Sequence, residues 1–254
     1  MFASGLVSIT FRSLSPQEII TLVNQAGIEV IEWGGDIHVP HGNVERAREV
    51  GQWTRDAGLS VSAYGSYYRL GDKRSEAAPF DAVLASAAAL GAPTIRVWAG
   101  GQGSADISSG DRRQVIEDAL RVADLAAQAN ISISLEYHSG TLTDSPASVR
   151  SLLTELDRPN IDFLWQPSNG EPVDACAARL VEVLPRLRNV HVFHWWPTAA
   201  DRRPLAEGES RWRTYIEIVR KIPHPIQFLI EFVAQDSTTQ FLEDAAALKR
   251  LLSE

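Results

Sequence analysis

Residues 94–138 read TIRVWAGGQGSADISSGDRRQVIEDALRVADLAAQANISISLEYH, and this stretch sets the fold class. It opens on TIRVWAG, a short run rich in strand formers. DRRQVIEDALRVADLAAQAN then carries a helical pattern and closes on Asn130, a residue that tolerates a left-handed cap. ISISLEYH alternates again, with Ile131, Ile133, Leu135 and Tyr137 on one face and Ser132, Ser134, Glu136 and His138 on the other. Strand, helix and strand in that order imply two parallel strands joined by a crossover.

The same alternation runs from end to end. Strand runs are GLVSITF, IEVIEWG, LSVSAYG, TIRVWAG, ISISLEYH, IDFLWQP, VHVFHWW and IQFLIEF. A helical segment follows each. SPQEIITLVNQAG carries the clearest boundary signals: Ser15 as N-cap, Pro16 in the first helical position, Glu18 completing a capping box, and Gly27 as terminator. Eight strand–helix units in 254 residues predict an α/β (β/α)₈ TIM barrel, with 1–254 forming a single domain. An open doubly wound sheet is the alternative, but no Gly-rich phosphate turn follows the first strand.

Composition narrows the function classes. A formal charge of −8 disfavours a general nucleic-acid binder. Cys176 is the one cysteine, so no intrachain disulfide forms, which fits a reducing cytoplasm. The first residues lack a basic segment followed by a long apolar core, and no apolar run reaches the ~20 residues of a bilayer span. The expected protein is soluble and cytoplasmic.

A barrel gathers its chemistry where strands end and βα loops begin. Strand 5 ends in Glu136 and His138, strand 6 in Gln166, strand 7 in His191 and His194, and strand 8 in Glu231. One Glu or Gln at a strand end is ordinarily a solvated or capping residue, whereas four donors on four successive strands form a pattern. His191 and His194 are three residues apart, so an extended strand turns them to opposite faces. His191, flanked by Val190 and Val192, is the expected inward one, with His194 at the rim. Glu136, Gln166, His191 and Glu231 are thus candidate metal ligands. Their mostly hard donors suit Mn²⁺ or Mg²⁺, with Co²⁺ or Zn²⁺ as alternatives.

The segments GIEVIEWGG, ISISLEYH, FLWQPSNG, NVHVFHWW, AEGESRW and FLIEFV, in this order, resemble the xylose isomerase-like TIM-barrel superfamily of sugar isomerases and epimerases. The resemblance implies one divalent ion held by Glu136, Gln166, His191 and Glu231. Gln166 stands where the family usually has Asp, which removes a negative charge. Asn169 stands where the epimerases place a substrate-contacting histidine. The family reaction moves a proton beside a carbonyl through an enediolate, with Glu136 and Glu231 as acid and base and His138 as a further proton carrier. Glu32, Trp33, His38, Tyr64, Arg96, Trp98, Asn169, His194 and Arg203 are the expected substrate contacts, because aromatic faces pack on sugar C–H faces while His, Glu and Arg bond hydroxyls or a phosphate. The expected partner is a small carbohydrate, with neither nucleic acid nor membrane. The family often dimerises, so the resemblance allows a homodimer.

The leading expectation is a metal-dependent isomerase or epimerase acting on a sugar, sugar acid or sugar phosphate. A dehydratase or lyase of the same superfamily would begin with the same proton abstraction and then expel a β-hydroxyl. Endonuclease-like DNA repair would want more metal ligands than six histidines and this acidic chain provide. A non-catalytic sugar-binding barrel is the reading that Gln166 favours.

Overall fold

A computed structural model describes residues 2–72 and 78–254. Eight strands form one closed parallel barrel: β1 (Phe2–Val7), β2 (Val30–Gly34), β3 (Ser60–Arg69), β4 (Thr94–Trp98), β5 (Ser132–Glu136), β6 (Ile161–Trp165), β7 (Leu187–Val192) and β8 (Ile226–Ile230). Each pairs with its neighbours in sequence, and β8 closes on β1 with Leu6 opposite Ile230. Eight helices follow in turn: α1 (Pro16–Ala26), α2 (Val44–Asp56), α3 (Phe80–Leu90), α4 (Ser109–Ala127), α5 (Pro146–Glu155), α6 (Val173–Val183), α7 (Glu209–Val219) and α8 (Thr238–Ser253). The expected fold class is the observed one.

Local chemistry explains the boundaries. Ser15 and Glu18 cap α1 reciprocally, Pro16 opens it, and Gly27 ends it with φ +62°. The first strand run is displaced from its expected place. β1 spans Phe2–Val7, and Ser8–Phe11 is a 3₁₀ turn. Pairing with β2 stops at Val7 opposite Glu32, and the Ser8 hydroxyl then accepts the Gly34 N–H at 2.9 Å. Similarly, β7 ends at Val192, where pairing with β8 runs out, and His194–Trp195 instead pair antiparallel with Arg202–Arg203 in a small hairpin.

Most of the apolar core lies between the sheet and the helices. The interior of the barrel is different. One small apolar cluster, Val7, Ile9, Val30 and Leu229, sits inside it. Near the N-terminal end the interior is polar: Ser62 donates to Gln227 Oε1 at 2.5 Å and accepts from Asn189 Nδ2 at 3.2 Å. Buried polar groups need partners, and this small network supplies them. The wide end, where the strands terminate, holds the functional residues.

Candidate active site

A pocket of about 550 Å³ opens at the C-terminal ends of the strands. Its floor is a chain of buried ions. Arg96, on β4 and only 2% exposed, donates through Nε to Glu32 Oε1 at 2.6 Å and through Nη1 to Glu136 Oε2. Glu32 is fully buried on β2, and its second oxygen lies 3.1 Å from His191 Nε2. The other ring nitrogen, His191 Nδ1, lies 3.4 Å from Glu231 Oε2. The network thus runs Glu136–Arg96–Glu32–His191–Glu231 across the barrel mouth.

Burial alone would raise the Glu32 carboxyl, but the charges of Arg96 and His191 hold it down to about 2. Burial likewise pushes Glu136 up, and Arg96, His191, His138 and the Trp98 hydrogen bond together more than offset it, leaving Glu136 below the usual carboxylate range. For His191, burial favours the neutral ring, yet Glu231 and Glu32 raise it to about 10. Its contribution to stability is therefore full below its ordinary 6.5 and lost as pH rises toward about 10. Thermal unfolding should shift to lower temperature across that window, and His191→Gln should flatten the profile. A wild-type profile already flat there would refute the charged ring.

The walls of the pocket supply groups for a substrate. Trp98 donates its indole N–H to Glu136 Oε2 and stacks on His138 with ring centroids 4.9 Å apart. The Arg69 guanidinium lies 3.8 Å from the Trp98 centroid. His138 Nδ1 is 2.7 Å from the Ser139 carbonyl, an acceptor only, so that nitrogen carries a proton, and in the neutral ring Nε2 is the acceptor. The loop after β5 is pinned beneath it: Thr143 Oγ1 donates to the Glu136 carbonyl at 2.5 Å and accepts the His138 N–H at 3.2 Å. Asn169, Glu231, Arg12 and Arg179 add to the polar lining, with Asp144 and Glu171.

A sequence model of the xylose isomerase-like TIM barrel matches residues 20–251. The chain belongs to that family. It is 33% identical over 153 residues to a 3-dehydroshikimate dehydratase of Bacillus anthracis. That match spans 51% of this chain and 53% of the relative, so about half of each protein. Solved structures superpose over nearly the whole barrel. A probable 3-DHS dehydratase involved in petrobactin synthesis from Bacillus anthracis has a TM-score of 0.79 at 23% identity, covering 98% of this chain and 99% of that one. A D-psicose 3-epimerase in the presence of D-fructose gives 0.75 at 15% identity, covering 99% and 100%. A Mycobacterium smegmatis protein in complex with magnesium gives 0.73 at 17% identity, covering 99% and 97%. At these identities the superpositions speak for fold alone.

In this xylose isomerase-like barrel the four expected metal ligands join one network, but not as a ligand shell. A divalent ion needs lone pairs turned to one point. Glu136 instead spends Oε2 on Arg96 and Trp98, and Oε1 on Gln166 Nε2 at 2.9 Å. The same Gln166 NH₂ donates to the Tyr137 carbonyl at 3.2 Å, which turns its amide oxygen away from Glu136. His191 has Glu32 Oε2 at Nε2, while its Nδ1 and the Gln166 amide oxygen are buried without a hydrogen-bond partner. Among the described residues, no three His, Cys, Asp or Glu side chains group as a metal site. Two of the expected donors thus stay open, and it is the commitment of Glu136 to Arg96, Trp98 and Gln166 that does not fit the expected ion.

The expected substrate contacts divide. Arg96, Trp98 and Asn169 line the pocket. Glu32 lies beneath it, holding Arg96. Trp33 points out of the barrel, fully buried, with its indole N–H on Thr54 Oγ1 at 3.2 Å. Tyr64, also fully buried, donates to the Val39 carbonyl at 2.8 Å and pairs with His41 at 2.7 Å. His38 is tied to Ser8 Oγ at 2.9 Å, and burial lowers its pKa. Tyr64 and His38 anchor the loop after β2, and none of the three lines the pocket. His194 lines a smaller recess beside Arg211 and Trp212, because β7 has already ended. Arg203 is exposed on the hairpin, bonded to the Trp196 carbonyl at 2.8 Å. Arg12 and Arg179 are pocket residues that the expected contacts omit, and Tyr67, from the aromatic run after the third strand, lines it too. Tyr67 reaches the pocket through a register shift in β3 and a left-handed backbone at φ +55°. Arg12 comes from the turn after β1 and Arg179 from α6, where strand-end parity offers no signal.

Proposed function

We propose that this barrel is a dehydratase of small hydroxylated ketones bearing an acidic group, such as a 3-dehydroshikimate-like ring. The observation that carries this is the commitment of Glu136 to three donors. An epimerase needs an acid and a base on opposite faces of one carbon. With Glu136 occupied by Arg96, Trp98 and Gln166, His138 Nε2 is the base we assign. One imidazole is enough for elimination. It takes the proton beside the carbonyl, and the C–H electrons form an enolate whose oxygen gains charge near Arg96. The enolate then re-forms the carbonyl, the C=C bond forms, and the β-hydroxyl leaves as water with the proton returned by His138. Arg12, paired with Asp36 at 2.6 Å, and Arg179, bonded to Ser168 Oγ at 2.7 Å, bring positive charge to the pocket that suits a carboxylate on the substrate. The half-length match to a 3-dehydroshikimate dehydratase supports the same reading.

The isomerase or epimerase reading rests on Glu231, a second pocket carboxylate, and on the fold shared with a D-psicose 3-epimerase. Incubation with cyclic hydroxy-ketone acids and with ketoses in D₂O separates the two. Dehydration yields a conjugated product with new ultraviolet absorbance. Deuterium in a recovered stereoisomer, without absorbance gain, would replace the dehydratase reading by epimerisation.

A further inference from the structure

We infer that the Arg96 guanidinium is the resident cation of this pocket, and that the site binds and activates its substrate without a divalent ion. Four features of the chain build a seat for it. Glu32 and Glu136 grip Arg96 from two strands, through Nε and Nη1. The Tyr67 ring lies 4.9 Å from the guanidinium carbon, close enough for a cation–π contact, and the left-handed backbone of Tyr67 puts it there. Gly65 clears the space: a Cβ at that position would stand 2.7 Å from Arg96 Nη2 and 2.9 Å from Glu32 Oε1. Gln166 offers Glu136 an N–H donor, so no extra positive charge is needed to hold the two side chains together.

A dication would have to displace this guanidinium from Glu136 or share the carboxylate with it, at close range and with like charge. Arg96 meanwhile lines the pocket, and its buried Nη2 has no partner within the protein. A substrate oxygen gaining negative charge gives that N–H a partner, so a fixed guanidinium does the polarising work of a Lewis acid. The inference draws on the proposed dehydration only for the charge developing on a substrate oxygen.

The test uses the full chain, purified without chelator, and the metal alone. Elemental analysis should find no stoichiometric divalent ion. Mn²⁺ titration followed by electron paramagnetic resonance should show no saturable binding below millimolar concentration. The melting temperature should be the same in EDTA, Mg²⁺ and Mn²⁺. One bound ion per chain, or a melting temperature lowered by EDTA, would overturn the inference. A second arm empties the seat with Arg96→Ala: millimolar guanidinium ion should raise the melting temperature of this variant and not that of the wild type, and failure of a folded variant to respond counts against the built seat. If that variant does not fold, the wild-type metal titration decides alone. None of these readouts needs a substrate, so absence of turnover on every hydroxy-ketone would defeat the dehydratase reading and leave this result standing.

Discussion

Arg96→Met is expected to lower the unfolding free energy by about 3–5 kcal/mol at neutral pH, the usual cost of removing one partner from a buried ion pair. The variant leaves Glu32 fully buried and Glu136 nearly so, both without their main counter-charge. Methionine is similar in length, so the loss reflects stranded charge more than a cavity. The pH dependence identifies the cause. In the wild type, Glu32 sits at about 2 against an ordinary 4.5, so its stabilising contribution is present above 4.5 and lost as pH falls toward about 2. Without Arg96, burial raises both carboxyls instead, and protonation relieves the penalty. Urea denaturation should therefore show the gap between variant and wild type narrowing as pH is lowered from neutral toward the carboxylate range. A loss under about 1 kcal/mol, or a gap that ignores pH, would mean the network contributes little beyond packing.

His138→Gln is expected to cut kcat by about 10²- to 10⁴-fold, the range supplied by a positioned proton carrier. Fold stability should change by less than about 1 kcal/mol, because His138 is half-buried and its one ring hydrogen bond goes to the adjacent Ser139 carbonyl. Glutamine keeps the polarity and much of the stacking surface on Trp98 but cannot exchange a proton near neutral pH. KM should move far less than kcat, since the pocket keeps Arg12, Arg179 and Asn169 for binding. Steady-state kinetics on the hydroxy-ketone acid that the wild type dehydrates checks the split. Retention of more than about a tenth of kcat would move the proton-carrying role to Glu231.

Much of the site's address was legible along the chain. The alternation in ISISLEYH carries Glu136 and His138 to the barrel mouth on one face. The three-residue step from His191 to His194 separates an interior histidine from an outer one. Parity could also have removed Trp33: it follows Glu32, and adjacent strand residues face opposite sides. Tyr64 and His38 were less readable, because the loop they anchor takes its shape from Val39 and Ser8. Arg179 was unreadable by strand parity, since it reaches the pocket from a helix.

Periodicity and cap residues alone determined eight β/α units, a parallel barrel and the strand ends at which functional groups gather. Those signals are local and survive without knowledge of any distant neighbour. Which group neutralises which was decided only by tertiary structure. Glu32 meets Arg96 64 residues away and His191 159 residues away, through the closure and register of the barrel. Coulomb interactions and hydrogen bonds change over fractions of an ångström. A pattern of residue types therefore offered a metal quartet, and the folded chain made of the same residues an ion-pair network around an arginine.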